Sequence, residues 1–393
     1  MQIGSPTSEQ SAIFLRVIGL EVEESFTLGK ARFLTYEDGL ARLAEVCGTP
    51  FASPSFVGPG GEFIKRDATL VELTTDPIPA ELSLDPLIFA DSAISSARRT
   101  LDVLRVLYCR GVSDKYFPIF GLAGELVSGA VDYLVPLNGV NSGARFGSRR
   151  AGHIRGAVLS KSVLDRWRDW RVFQFLDESL RNPDASDGAR RALLGSSLLS
   201  TSILERNPDV ALILATSALE AFVMPEGRGG KTLKLARHLA WLGCLVNDER
   251  NQCGRHRDAC PYLLLDPDDD KQRKDLEEIK VIAQSDSKWR CSEWMRVVEW
   301  YDIRSETVHG RSLGHSEGIA DEAQYWITTR LFQPIILWLA DHPYDPTGEL
   351  ENALNTLSQP TNWTEFAAQI RNRDFNSPPK YDSRRWEERD DTI

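Results

Sequence analysis

The octapeptide Arg181-Asn182-Pro183-Asp184-Ala185-Ser186-Asp187-Gly188 separates two stretches with different hydrophobic periods, and that change constrains the fold more than any other feature. Before it, Ala12 to Ile18 and Ala31 to Tyr36 are rich in β-branched and aromatic residues. Turn formers stand at Gly58-Pro59-Gly60-Gly61 and at Asp76-Pro77, so residues 11–90 are predicted to be mostly extended, with one helix at Tyr36 to Val46. Ile94, Ala97, Leu101, Leu104 and Leu107 then recur at helical spacing. A strand at Val131 to Pro136, a Gly- and Arg-rich loop from Asn138 to Arg155 and a helix from Ser162 to Leu180 complete the first half.

After Gly188 the pattern is helical nearly throughout. Helices are predicted near 189–205, 209–224, 231–246, 271–284, 292–309 and 317–341, with Asn207-Pro208-Asp209 a start signal and Pro334 a kink in the last. The expected fold is therefore α+β: a mixed, β-rich domain over 1–182, then an all-α bundle over 189–342. Beyond Pro343 the apolar pattern thins, and Pro378-Pro379 and a dense charge run make the extension 343–393 partly disordered by expectation. A length of 393 residues also exceeds what one ordinary core serves.

The net charge of −11 excludes a broad, sequence-indifferent nucleic-acid coat, so any such contact must be local. Six scattered cysteines fit reduced thiols better than a disulfide framework. Met1 to Gln10 is polar, and Arg16, Glu21, Glu23 and Glu24 interrupt the apolar stretch after it, so no secretory leader is expected. No run reaches the roughly 18 apolar residues of a membrane helix. The chain is expected in the cytoplasm, with no membrane partner.

Chemistry concentrates in Tyr301-Asp302-Ile303-Arg304-Ser305-Glu306-Thr307-Val308-His309-Gly310. Trp294, Val297, Tyr301, Arg304 and Val308 share one helical stripe, which places Arg304 at its edge. His309 lies five residues on, about 140° round an ideal helix, so the two side chains diverge if the helix continues. Gly310 can take the left-handed position past the helix end and let the chain turn at His309. An arginine fork binds phosphate oxygens and stabilises a pentacoordinate transition state. A histidine can take the proton of an RNA 2′-hydroxyl or protonate the leaving 5′-oxygen. Together they need no metal and no cofactor. DNA, which lacks the internal nucleophile, would not react. The competing reading of the same residues is a capped helix end with Arg304 ion-paired to Glu220 or Glu306.

The block Tyr301, Arg304, Ser305, His309, Gly310 resembles the Tyr-x-x-Arg-Ser-x-x-x-His-Gly helix end of the HEPN superfamily of ribonucleases, most closely its Apea-like branch. Ala218-Leu219-Glu220, and Lys234-Leu235-Ala236-Arg237-His238-Leu239-Ala240 after it, resemble the second and third helices of that branch. The resemblance covers about 189–342, and it departs at Asn247 to Ser287, which is longer than expected. It implies an endoribonuclease acting as a homodimer with a composite site, RNA as substrate, and a place in bacterial anti-phage, abortive-infection or toxin systems. An antitoxin or phage-derived trigger would then be a partner. Arg304 and His309 become the catalytic pair, with Glu220, Tyr301, Ser305 and Gly310 in support: Glu220 orienting Arg304 or a substrate hydroxyl, the Tyr301 ring packing beneath the arginine, the Ser305 hydroxyl capping the turn. The other class of function is a HEPN-like scaffold that binds RNA, a nucleotide or a protein without turnover.

Other signals count for less. Gly227-Arg228-Gly229-Gly230-Lys231-Thr232 ends like a phosphate-binding loop but comes after a helix, and Pro225 stands where the first glycine belongs. Arg228 and Lys231 remain candidate RNA contacts at a helix start, as do Arg149 and Arg150 in the first half. Cys244, Cys253, His256 and Cys260 match no standard zinc spacing. Asp266, Asp268, Asp270 and Glu277 mimic a calcium loop, but Lys271 occupies the glycine position, so an acidic helix cap is the simpler reading. His238 is expected at the surface.

Overall fold

The computed structural model describes residues 11–47, 57–58, 61–62, 68–75, 86–110, 120–122, 130–136, 140–146, 157–224, 231–246, 260–285, 291–310, 316, 318–357 and 359–371. The architecture is mixed α+β with an N-terminal antiparallel sheet, and the chain divides into two compact units, Met1–Asn182 and Pro183–Ile393.

In the first unit the elements are β1 (Ser11–Ile18), β2 (Leu20–Val22), β3 (Phe26–Leu28), β4 (Ala31–Leu34), α1 (Tyr36–Cys47), β5 (Val57–Gly58), β6 (Gly61–Glu62), β7 (Ala68–Thr75), α2 (Pro86–Arg110), β8 (Gly121–Leu122), β9 (Ala130–Pro136), β10 (Val140–Phe146), β11 (Ala157–Leu159), α3 (Lys161–Arg168) and α4 (Arg171–Arg181). Among the described residues, seven strands form a sheet in the order β10-β9-β1-β7-β4-β3, with β8 also beside β1. β1 pairs with β7 along its whole length, from Ser11 opposite Thr75 to Ile18 opposite Ala68. β2 instead pairs in parallel with β11. Both faces of β1 are covered, which is why it reads as a nearly continuous apolar run. Ala12 and Phe14 join Leu34, Leu70 and Leu43 of α1 in one cluster, while Ile13, Leu15 and Val17 on the other face are fully buried too.

Two expectations fail in this unit. The helix expected from Ser162 to Leu180 is two helices broken at Asp169-Trp170, where the Gln174 amide donates to the Arg168 carbonyl at 2.9 Å. Leu164 and then Val172, Phe173, Leu176 and Leu180 give each helix its own buried stripe, so the period continues across the break. The supposed loop from Asn138 contains β10, an edge strand paired with β9. An edge position tolerates the polar Asn141, Ser142 and Arg145 that hide it.

The second unit comprises α5 (Asp187–Leu204), α6 (Pro208–Val223), α7 (Lys231–Val246), α8 (Pro261–Leu264), α9 (Asp270–Ser285), α10 (Ser292–Val308), α11 (Ile319–Trp326), a π-helical turn (Ile327–Leu331), α12 (Phe332–Asp341), α13 (Pro346–Asn355) and α14 (Trp363–Arg371). Side-chain caps fix several starts. Ser186 Oγ accepts from Ala189 N at 3.1 Å, and Asn207 Oδ1 accepts from Asp209 N at 3.0 Å with Pro208 in the first turn. α5 and α6 pack closely because Gly195 has no side chain: a Cβ there would lie 2.3 Å from the Phe222 ring. Phe222 in turn meets Phe332 edge-on, with ring centroids 6.1 Å apart.

Pro334 cannot donate to the Arg330 carbonyl, and the helix widens just before it, into a π turn closed by Phe332 N on Ile327 O. The region after Pro343 holds more structure than its composition suggests. Asp345 Oδ1 accepts from Gly348 N to start α13, and Leu350, Leu354, Leu357 and Ala367 are buried. About one apolar residue per turn gives a weak sequence signal. The long stretch from Asn247 carries α8 and α9.

Candidate functional site

α10 buries Trp294, Val297, Trp300 and Tyr301, and its apolar stripe ends there: Val308, expected on it, is 55% exposed. Arg304 comes three residues after Tyr301, so the helix twist lays its guanidinium over the tyrosine ring, 5.2 Å from the centroid. From α6, Glu220 reaches the same point. The Tyr301 hydroxyl donates to Glu220 Oε1, and Arg304 Nη2 lies 3.8 Å from that oxygen. The ring thus sits beneath the arginine, as the sequence suggested, and one carboxylate serves both neighbours.

Burial, and next the hydrogen bond to Glu220, push the Tyr301 hydroxyl far above its usual pKa, so it is a donor at any ordinary pH. Arg304 and Glu220 are half-buried. The Nε of Arg304 is buried and has no hydrogen-bond partner among the described residues. Nε is the inner donor of the guanidinium fork that anions engage.

His309 is the C-cap residue of α10, at φ −88° and ψ 6°, with its backbone N–H on the Ser305 carbonyl at 3.1 Å. Gly310 has φ +67° and donates to the Thr307 carbonyl at 3.0 Å. Among the described residues, apart from its two chain neighbours, no atom lies within 4 Å of where a Cβ would stand on Gly310, so its glycine answers a conformational need. The exposed imidazole of His309 results from this turn. Ser305 is exposed, and it is its carbonyl, rather than the expected hydroxyl, that closes the turn.

The structure therefore joins Glu220, Tyr301 and Arg304 directly and puts His309 at the solvent-facing end of the same helix. Lys231 opens α7, while Arg228, Arg149 and Arg150 lie outside the described residues. His238 is 1% exposed, which corrects the expectation of a surface residue. Its Nδ1 faces the Val223 carbonyl at 3.0 Å and its Nε2 faces Glu351 Oε1 at 3.1 Å. In the mock calcium loop Asp266 Oδ1 accepts from Asp268 N at 2.9 Å, and the neighbouring Asp269 caps α9, its Oδ1 accepting from Lys271 N and Gln272 N. Cys244, Cys260 and Cys291 are thiols outside any disulfide, and Cys253 and His256 lie outside the described residues. Among the described residues no three His, Cys, Asp or Glu side chains are grouped to hold a metal.

Sequence reasoning missed the Tyr301–Glu220 bond. The available signal was an acidic residue within the apolar stretch Leu219 to Phe222, which needs a donor. No family model, curated protein or solved structure matches the chain. No helix among the described residues is long and apolar enough to cross a membrane.

Proposed function

We propose that this protein is a metal-independent endoribonuclease of the HEPN type, with Arg304 and His309 as its catalytic pair. The observation that carries this reading is the end of α10, where a half-buried arginine fixed by Tyr301 and Glu220 precedes an exposed histidine on a glycine-capped turn. Arg304 would take the non-bridging phosphate oxygens with its guanidinium and stabilise the added charge of the transition state. His309 would remove the 2′-hydroxyl proton. The 2′-oxygen then attacks phosphorus, the bond to the 5′-oxygen breaks, and that oxygen acquires a proton. The products are a 2′,3′-cyclic phosphate and a 5′-hydroxyl.

By the same resemblance, two chains pair to bring two such helix ends to one cleft, in the cytoplasm of a bacterium, as an anti-phage, abortive-infection or toxin protein. The N-terminal unit would sense a trigger or select the RNA. A second reading, a scaffold that binds RNA, a nucleotide or a protein without turnover, draws on the pairing that already satisfies part of Arg304.

Arg304→Ala and His309→Ala separate the two. Each is expected to abolish RNA cleavage, and any toxicity on expression, with an unchanged circular dichroism spectrum. Cleavage that survives both substitutions at the wild-type rate rules the enzyme reading out.

A further inference from the structure

The last carbonyls of a helix have no intrahelical donors, and at the end of α6 an arginine and a histidine supply them. Arg191 Nη1, from α5, donates to the carbonyls of Ala221 at 3.2 Å and Met224 at 2.8 Å. His238 Nδ1, from α7, donates to the Val223 carbonyl at 3.0 Å. Each is anchored by its own carboxylate. Arg191 Nε lies 2.6 Å from Asp187 Oδ2, and His238 Nε2 lies 3.1 Å from Glu351 Oε1 on α13.

A neutral imidazole offers one N–H and one lone pair. Both ring nitrogens of His238 face acceptors, a carbonyl and a carboxylate; with Glu351 ionised, the doubly protonated ring is the form that donates to both. The negative end of the α6 dipole favours the same form. Among the neighbouring charges, the Arg237 guanidinium is turned to the carbonyls of Leu263 and Leu354, and Lys234 pairs with Asp268. Glu351 is left as the carboxylate for His238.

Glu220 belongs to the clamped turn, and its carbonyl accepts from Met224 N at 2.9 Å. We infer that Arg191 and His238, the latter as an imidazolium, are positioning residues that fix the end of α6 so that Glu220 meets Tyr301 and Arg304. The consequence for turnover rests on the proposed catalytic reading; the clamp itself does not.

The test uses the full chain labelled with ¹⁵N-histidine and ¹³C-tyrosine. Near neutral pH, His238 is expected to show two ring N–H signals, and Glu351→Gln to remove one, because an amide can donate to the ring. In His238→Ala and Arg191→Lys, the ¹³C signal of the Tyr301 ring should shift as Glu220 loses its place and the hydroxyl loses its acceptor. RNA cleavage in these variants should fall by about tenfold in kcat with KM unchanged. If His238→Ala fails to fold, Arg191→Lys and Glu351→Gln carry the same readouts. A wild-type His238 with one N–H and one lone-pair nitrogen overturns the clamp, as does an unmoved Tyr301 ring signal in the variants. A Tyr301 shift in a protein that never cleaves RNA upholds the clamp and removes the catalytic reading.

Discussion

Tyr301 links the buried half of α10 to its polar end, because its ring is covered while its hydroxyl and face serve Glu220 and Arg304. Tyr301→Phe keeps the ring beneath the guanidinium and removes the donor to Glu220. We expect a loss of about 1.5–3 kcal/mol in unfolding free energy, the range for a hydrogen bond to a charged group, read from denaturant titration. Gly310→Ala tests the helix end separately. An alanine at φ +67° meets no atom of the described residues beyond its chain neighbours, so the cost is backbone strain of about 1–2 kcal/mol. A change near zero would mean that the turn after His309 does not need its left-handed residue. At this scale the sequence was legible where the reason is local: Gly310 comes just after the last helical residues, and Arg304 stands three residues past Tyr301. Val308 and His238 were misjudged because their surroundings come from elsewhere in the chain. Helical spacing assigned Val308 to a stripe that is covered as far as Tyr301 but open at Val308, and nothing near His238 announces Val223 and Glu351 as its partners.

At the scale of elements, α5 and α6 meet where Gly195 admits Phe222. Gly195→Ala must displace that ring, and we expect about 1–3 kcal/mol of destabilisation, visible as a lowered Tm. An unchanged Tm would show that the two helices can separate without penalty. α13 adds a dependence on acid. The His238 hydrogen bond holds the Glu351 carboxyl below its ordinary value, against the opposing effect of burial. A depressed folded pKa gives stability that is complete above the unfolded value and is lost as pH falls through the folded one. Wild type should therefore exceed Glu351→Gln in stability at pH 5, and the difference should shrink below about pH 4.3, the ordinary glutamate value. A gap that is constant from pH 6 to pH 2 would contradict the pairing. Periodicity revealed long helices such as α6, α7 and α10 well. It missed β10, whose edge position lets it carry polar residues, and α13 and α14, which bury too little to show a stripe.

At the scale of the molecule, the shift from β-type to helical period at Arg181 to Gly188 falls where the two compact units divide, after Asn182. That division was legible because turn formers and small polar residues end one pattern before another begins. Target choice was not legible: it depends on surfaces formed by residues distant in sequence. The central claim is that the end of α10 cleaves RNA through its 2′-hydroxyl without a metal. The most direct measurement incubates purified wild type and His309→Ala with total RNA in excess EDTA and identifies the fragment ends. The expected result is fragments ending in 2′,3′-cyclic phosphate from the wild type alone. Intact RNA with both proteins, or equal cleavage by both, would contradict the claim.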